Sequence, residues 1–155
     1  MSLPTWLAAG WLLRHQTSPE EIRGLWLIVE RDLKDASDGG ISHDWQYGIA
    51  YNAALKLCTI LLYAEGYKPA KGPLAHSRTL NALPHILGSH HQRDADYLDG
   101  CRQKRNTVEY DYAGGASKSD ADGLIAFGRE LQSEVLAWLR KKHPHLVPLG
   151  TNPAM

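Results

Sequence analysis

Apolar residues recur along this chain at three- and four-residue spacing, the period of an α-helix, and no stretch alternates in the manner of a half-buried strand. The pattern divides into six helical segments. A short opening helix covers about Thr5 to His15, with Trp6, Gly10 and Leu13 on one side. Ser18-Pro19-Glu20-Glu21 then supplies an N-cap, a proline at the first helical position and a glutamate at the third, the signature of a capping box. The helix it opens carries Ile22, Leu25, Trp26, Val29 and Leu33 on one stripe and stops at Gly39-Gly40.

Ser42 caps a third helix that runs to about Glu65, where Gly66 supplies the stop. Its apolar residues go almost all the way round, and Gly48, Ala50, Ala53 and Ala54 are small, so it is the expected central helix. Pro69 to Pro73 reads as a loop, and a weaker helix from about Ala75 to Leu87 is kinked or ended by Pro84. A fifth helix spans roughly Asp94 to Tyr110 and gives way to Gly114-Gly115. Ser117-Lys118-Ser119-Asp120 caps the last one, which places Leu124, Phe127, Leu131, Val135 and Trp138 on one stripe before Pro144. The expected architecture is all-α, a single-domain bundle of four to five helices over residues 1–147, with a disordered tail over 148–155.

Composition narrows the function only by exclusion. A length of 155 residues, 43% hydrophobic and 22% charged, is ordinary globular usage with room for one well-buried core. Lys+Arg and Asp+Glu are both 17, so any nucleic-acid binding has to use a local basic patch. Cys58 and Cys101 lie in apolar helical context without partners at metal-ligand spacing, and read as buried thiols of a reducing compartment. The apolar opening lacks a basic leader and is too short to span a bilayer, so a cytoplasmic protein without a membrane segment is expected.

The fifth helix breaks its own pattern. At about 100° per residue, Leu98, Cys101, Arg105, Val108 and Tyr112 fall within one narrow stripe, so a guanidinium occupies a place where a bundle normally puts leucine. Burying that charge alone costs several kcal/mol, on the order of 3–5 when a buried pair is broken. Arg105 therefore needs a wet cleft, a subunit interface, or a surface pair with Glu109 one turn later.

Ala50-Tyr51-Asn52-Ala53-Ala54-Leu55, Gly66-Tyr67, Leu83-Pro84 and above all Arg105-Asn106 with Tyr110-Asp111-Tyr112 resemble the HEPN-domain proteins of prokaryotes. The resemblance covers the chain from Ser18 to about His143. It is nearest to the HEPN partners of minimal nucleotidyltransferases, whose motif is an arginine, four to six residues, a histidine, one residue and a tyrosine. On that pattern Arg105 takes the arginine place, Asn106 the polar residue beside it and Tyr112 the last tyrosine, while Tyr110 stands where the family has histidine. An imidazole titrates near neutrality and can move a proton from an RNA 2′-hydroxyl; a tyrosine, with a pKa of about 10, is a poor base.

The resemblance implies a homodimer in a toxin-antitoxin or defence setting. It also implies an antitoxin or nucleotidyltransferase partner, and RNA or a nucleotide bound in a cleft around Arg105. Arg105, Asn106, Tyr110 and Tyr112 are then the candidate catalytic residues of a metal-independent endoribonuclease with a degenerate motif. Arg102, Lys104, Arg105 and Tyr112 are the candidate ligand-binding residues. A non-catalytic interaction module is the other outcome.

His43 and His76 are each placed to approach Arg105 and supply the missing imidazole, or to sit solvated on the surface. His90-His91 beside Arg93, Asp94 and Asp96 lacks a spaced third ligand, so no metal is expected, and no cofactor either. Arg140-Lys141-Lys142 with His143 ends a helix, where cations are favoured by the dipole in any case. Ala113-Gly114-Gly115-Ala116 is a turn without the lysine of a phosphate loop. A bundle with Arg105 on an apolar stripe and five Trp and seven Tyr should self-associate at micromolar concentration. Light scattering checks this, and a monomer at every accessible concentration would remove the shared cleft.

Overall fold

The computed structural model of the protein describes residues 2–110 and 114–148, with the side chains of residues 108–110 left aside. Serine oxygens start three of its four long helices. Ser18 Oγ accepts from the Glu21 N–H (3.1 Å) at the head of α2, Pro19–Ala36. Ser42 Oγ accepts from the Trp45 N–H (3.1 Å) at the head of α3, His43–Ala64. Ser117 Oγ accepts from the Asp120 N–H (3.0 Å) at the head of α7, Lys118–Lys142, and there the Asp120 carboxylate accepts from the Ser117 N–H in return. Each oxygen satisfies an amide that has no partner within its helix.

The expected capping box at α2 is half made. The Glu21 carboxylate turns outward to His15 Nε2 (2.6 Å) and Thr17 Oγ1 (2.7 Å) instead of returning to Ser18.

The fold is an all-α bundle arranged around α3. Tyr47, Ala50, Tyr51, Ala54, Cys58 and Leu61 are among the buried residues that ring it, so it has to be covered on every side. Helix α2 lays Ile22, Trp26, Val29 and Leu33 against it, α7 covers it with Leu124, Leu131 and Val135, and α6, Gln92–Tyr110, brings Leu98 and Cys101. Helices α2 and α7 also touch each other where Gly128 of α7 faces Leu33; a Cβ at Gly128 would stand 3.0 Å from the Leu33 Cδ2.

The chain start departs from the sequence expectation. Helix α1 spans only Leu3–Ala8, and Gly10, at φ +79°, turns the chain out of the helical path. Leu12–Arg14 then forms strand β1, antiparallel to β2, Tyr67–Pro69, with Leu13 opposite Lys68. Three-residue strands are too short to reveal a period of two in sequence. The ribbon covers the C-terminal end of α3, where Leu3, Trp6, Leu12 and Leu62 make a smaller second core.

Pro84 does not kink one helix but separates two, α4 at Ala75–Asn81 and α5 at Leu83–Leu87, where it sits in the first turn and its missing N–H is harmless. Both cysteines are free and buried, and burial pushes the Cys58 thiol up to about 12. No helix among the described residues is long and apolar enough to cross a membrane. Apart from Pro148, the expected tail lies outside the described residues.

The Gly128 contact gives an expected contrast. Gly128→Leu should lower stability by about 1–3 kcal/mol through overpacking against Leu33. Gly100→Ala on α6, where a Cβ meets nothing within 4 Å, should raise it by about 0.5–1 kcal/mol. Urea unfolding of both variants checks the pair, and a Gly128→Leu protein as stable as wild type would mean that α2 and α7 separate easily.

Candidate functional site

The stripe of α6 that faces α3 runs from Leu98 and Cys101, both buried, to Arg105, which is half-buried. The guanidinium of Arg105 lies over the ring of Tyr51 on α3, 5.5 Å from its centre. The negative face of the ring offsets part of the loss of water on that side of the cation. Tyr51 itself is buried with no hydrogen-bond partner for its hydroxyl among the described residues, and burial raises its pKa well above the usual tyrosine range, an effect that Arg105 and Arg102 partly oppose.

On its other side Arg105 lines a cleft of about 470 Å3, open to solvent, together with Arg31 and Asp32 of α2 and Trp45, Gly48, Ile49 and Asn52 of α3. The Asp32 carboxylate is buried, 5% exposed, and is held from two directions. Arg31 donates to Oδ1 from Nε (2.9 Å), with Nη2 also at 2.9 Å, and Asn52 Nδ2 donates to Oδ2 (2.7 Å). A buried carboxylate is tolerable only with such partners, so Arg31 and Asn52 are fixed in turn.

Toward α4 the surroundings of Arg105 are basic. His76 of α4 feels partial burial first, then repulsion from Arg105, Lys56 and Arg102, and all of these hold its imidazole below the usual 6.5. Arg102 is tied to Asp99 one turn back (2.9 Å). Lys56 of α3 and Arg102 and Arg105 of α6 thus all lie near enough to His76 of α4 to lower its pKa, and Asp99 is among the acidic groups nearby.

The other sequence candidates are dispersed. Lys104 pairs with Asp120 at the head of α7 (3.1 Å) and so serves that helix start, where an acidic residue is already favoured. Asn106 is exposed. The side chains of Glu109 and Tyr110, and all of Tyr112, lie outside the described residues, which leaves the Arg105–Glu109 pair outside them too.

His76 lies near enough to Arg105 and Arg102 to feel their charge, whereas His43 bonds Gln46 Oε1 (3.0 Å) in its own first turn. His91 bridges Asp94 (2.7 Å) and Glu134 (3.2 Å) and stacks on His90, which joins the start of α6 to α7. Among the described residues no three His, Cys, Asp or Glu side chains gather in a way that could hold a metal ion.

Sequence reasoning passed over Arg31, Asp32, Trp45, Lys56 and Asp44. Of these Asp32 carried a readable signal, since it lies three residues after Val29 and four before Ala36, on the apolar stripe of α2. Asp44 did not. Its carboxylate, in the first turn of α3, accepts from the Gly114 N–H (2.6 Å) and the Ala116 N–H (3.0 Å), fastening the chain beyond α6 to the head of α3.

No protein-family model, curated protein or solved structure matches the chain. The chemistry of the cleft therefore carries the functional argument together with the motif resemblance.

The Asp44 anchor should be visible in acid. The N–H donors of Gly114 and then Ala116 hold its carboxyl below the usual 3.8, so the anchor is fully present above that value and is lost as pH falls through the lower folded one. Thermal unfolding from pH 7 to pH 2 should show Asp44→Ala less stable than wild type near neutrality and the gap closing below about pH 4. A gap independent of pH would show that the carboxylate charge contributes nothing.

Proposed function

We propose that this protein is a HEPN-like RNA- or nucleotide-binding protein whose ligand phosphate is taken by Arg105, in a toxin-antitoxin or defence setting. The observation that carries the reading is that Arg105 lines an open cleft and, away from it, lies near enough to His76, with Arg102 and Lys56, to make its surroundings basic. A chain with equal numbers of basic and acidic residues has no general field to attract nucleic acid, so this local excess is what a phosphate would meet. The motif resemblance supports the same place, since Arg105 is the family's arginine. The homodimer, and an antitoxin or nucleotidyltransferase partner, belong to this proposal on the strength of that resemblance.

Cleavage is the second reading, and His76 favours it. A neutral imidazole beside two arginines has the protonation state a general base needs, and it offers the group that Tyr110 does not. The 2′-oxygen would lose its proton to His76 and bond to phosphorus as the phosphorus–O5′ bond breaks, leaving a 2′,3′-cyclic phosphate; the departing 5′-oxygen would take a proton from water, and Arg105 would stabilise the charge on the pentavalent phosphate.

Arg105→Ala should weaken binding of single-stranded RNA or nucleotide by about tenfold or more, the value of a charge-assisted contact. It should also lower the salt slope of binding by about 0.7 per phosphate released. Circular dichroism should be unchanged. Fluorescence anisotropy across a salt series measures both effects. Equal binding by the variant would remove Arg105 from the site, and an absence of binding in the wild type would remove the function. For cleavage, the assay is single-stranded RNA incubated in EDTA, with His76→Ala expected to abolish any product.

A further inference from the structure

We propose that the cleft beside Arg105 takes one unpaired nucleotide, its base stacked on the indole of Trp45 and its phosphate held between the guanidinium groups of Arg31 and Arg105. The inference rests on the reading of Arg105 as a phosphate contact. It adds a subsite for one unpaired base and Trp45 as the residue that stacks on it.

Three observations carry it. Trp45 is 62% exposed, whereas Trp6 and Trp26 are buried in the two cores. An indole left largely in water on the lip of a cleft is a stacking surface, and the first turn of α3 that carries it is fixed by the bond from the Trp45 backbone N–H to Ser42 Oγ.

The second observation is the arginine pair. Arg31 is also 62% exposed and uses part of its five-donor fork on Asp32, which fixes the group at the rim and leaves the remaining N–H donors for a second anion. Arg105 lines the same cleft.

The third is the polar lining between them. Asn52, once its Nδ2 is given to Asp32, has its carbonyl oxygen left as an acceptor, and Asp32 has further lone pairs. The N–H edge of a base satisfies these groups, whereas an apolar side chain from a protein partner would strand them. A base within a duplex is stacked and paired and cannot reach the indole, so the cleft discriminates for unpaired RNA.

The test uses the full chain, a fluorescent single-stranded RNA oligonucleotide, the same sequence as a duplex, and the variants Trp45→Ala, Trp45→Phe and Arg105→Ala. Trp45→Ala should weaken single-strand binding by about tenfold, the scale of one base–aromatic stack, and leave duplex binding unchanged. Trp45→Phe should recover most of it, and the quenching of intrinsic fluorescence on adding single-stranded RNA should fall in that variant. Because the side chain is exposed, melting temperatures should match wild type.

If Trp45→Ala binds single strands as wild type does while Arg105→Ala fails, the stacking inference is overturned and the Arg105 reading stands. If wild type binds no RNA, both fall. If Trp45→Ala converts a dimer into a monomer, the indole belongs to an interface between copies, and the nucleotide proposal is overturned.

Discussion

A helix that is apolar around its circumference cannot stand at a surface, and everything else in this protein follows from the need to cover α3. Its 22 residues include only a few that tolerate water, so α2, α6 and α7 are recruited along its length and the short elements close its C-terminal end. The small side chains of Gly48, Ala50, Ala53 and Ala54 let the covering helices approach closely, and close approach makes the arrangement sensitive to single contacts such as Gly128 against Leu33.

The cover thins at the head of α3, and the candidate site is there. Trp45 is left in water, Ile49 is only partly covered, and the stripes of α2 and α6 that pack lower down with Val29 and Leu98 present Asp32 and Arg105 instead. Substituting charges for leucine at two such positions forfeits hydrophobic burial of about 1.5–3 kcal/mol each. That loss, accepted at one place in an otherwise well-filled bundle, is the strongest sign that the cleft has a purpose besides folding.

The long helices were legible in the sequence because their determinants are local. Ser18, Ser42 and Ser117 sit where caps belong, Gly66 stops α3 in the left-handed region, and the stripes of α2 and α7 follow the helical period. The opening was misread because Trp6, Gly10 and Leu13 fit a helical wheel, while the fate of Leu12 was decided by a partner strand more than fifty residues away in sequence. Glu21 likewise abandons its own cap for His15 and Thr17, which no local rule foresees. In the site, Arg105 was visible as a charge on an apolar stripe. The residues that give it meaning, Arg31, Trp45 and Lys56, lie on ordinary helical surfaces and gain significance only when three helices meet.

The environment of Arg105 also explains how a neutral protein could attract a phosphate strongly at one point. Tyr51 supplies a low-dielectric wall under the guanidinium, and Asp32 is engaged by Arg31 and Asn52. Coulomb attraction over about 4 Å rises roughly fourfold when the effective dielectric falls from bulk water to that of a protein surface. A phosphate placed there gains this stronger attraction while the cation, already partly stripped of water, loses little more. Partial burial and the charges of Arg105, Lys56 and Arg102 lower the pKa of the His76 imidazole, so in the proposed function the cations that would draw in an anion would also favour an uncharged base nearby. Under that proposal, binding and proton transfer would be linked through the partial burial of one cation. A bundle with leucine at position 105 would gain stability and give up the guanidinium on which both would depend.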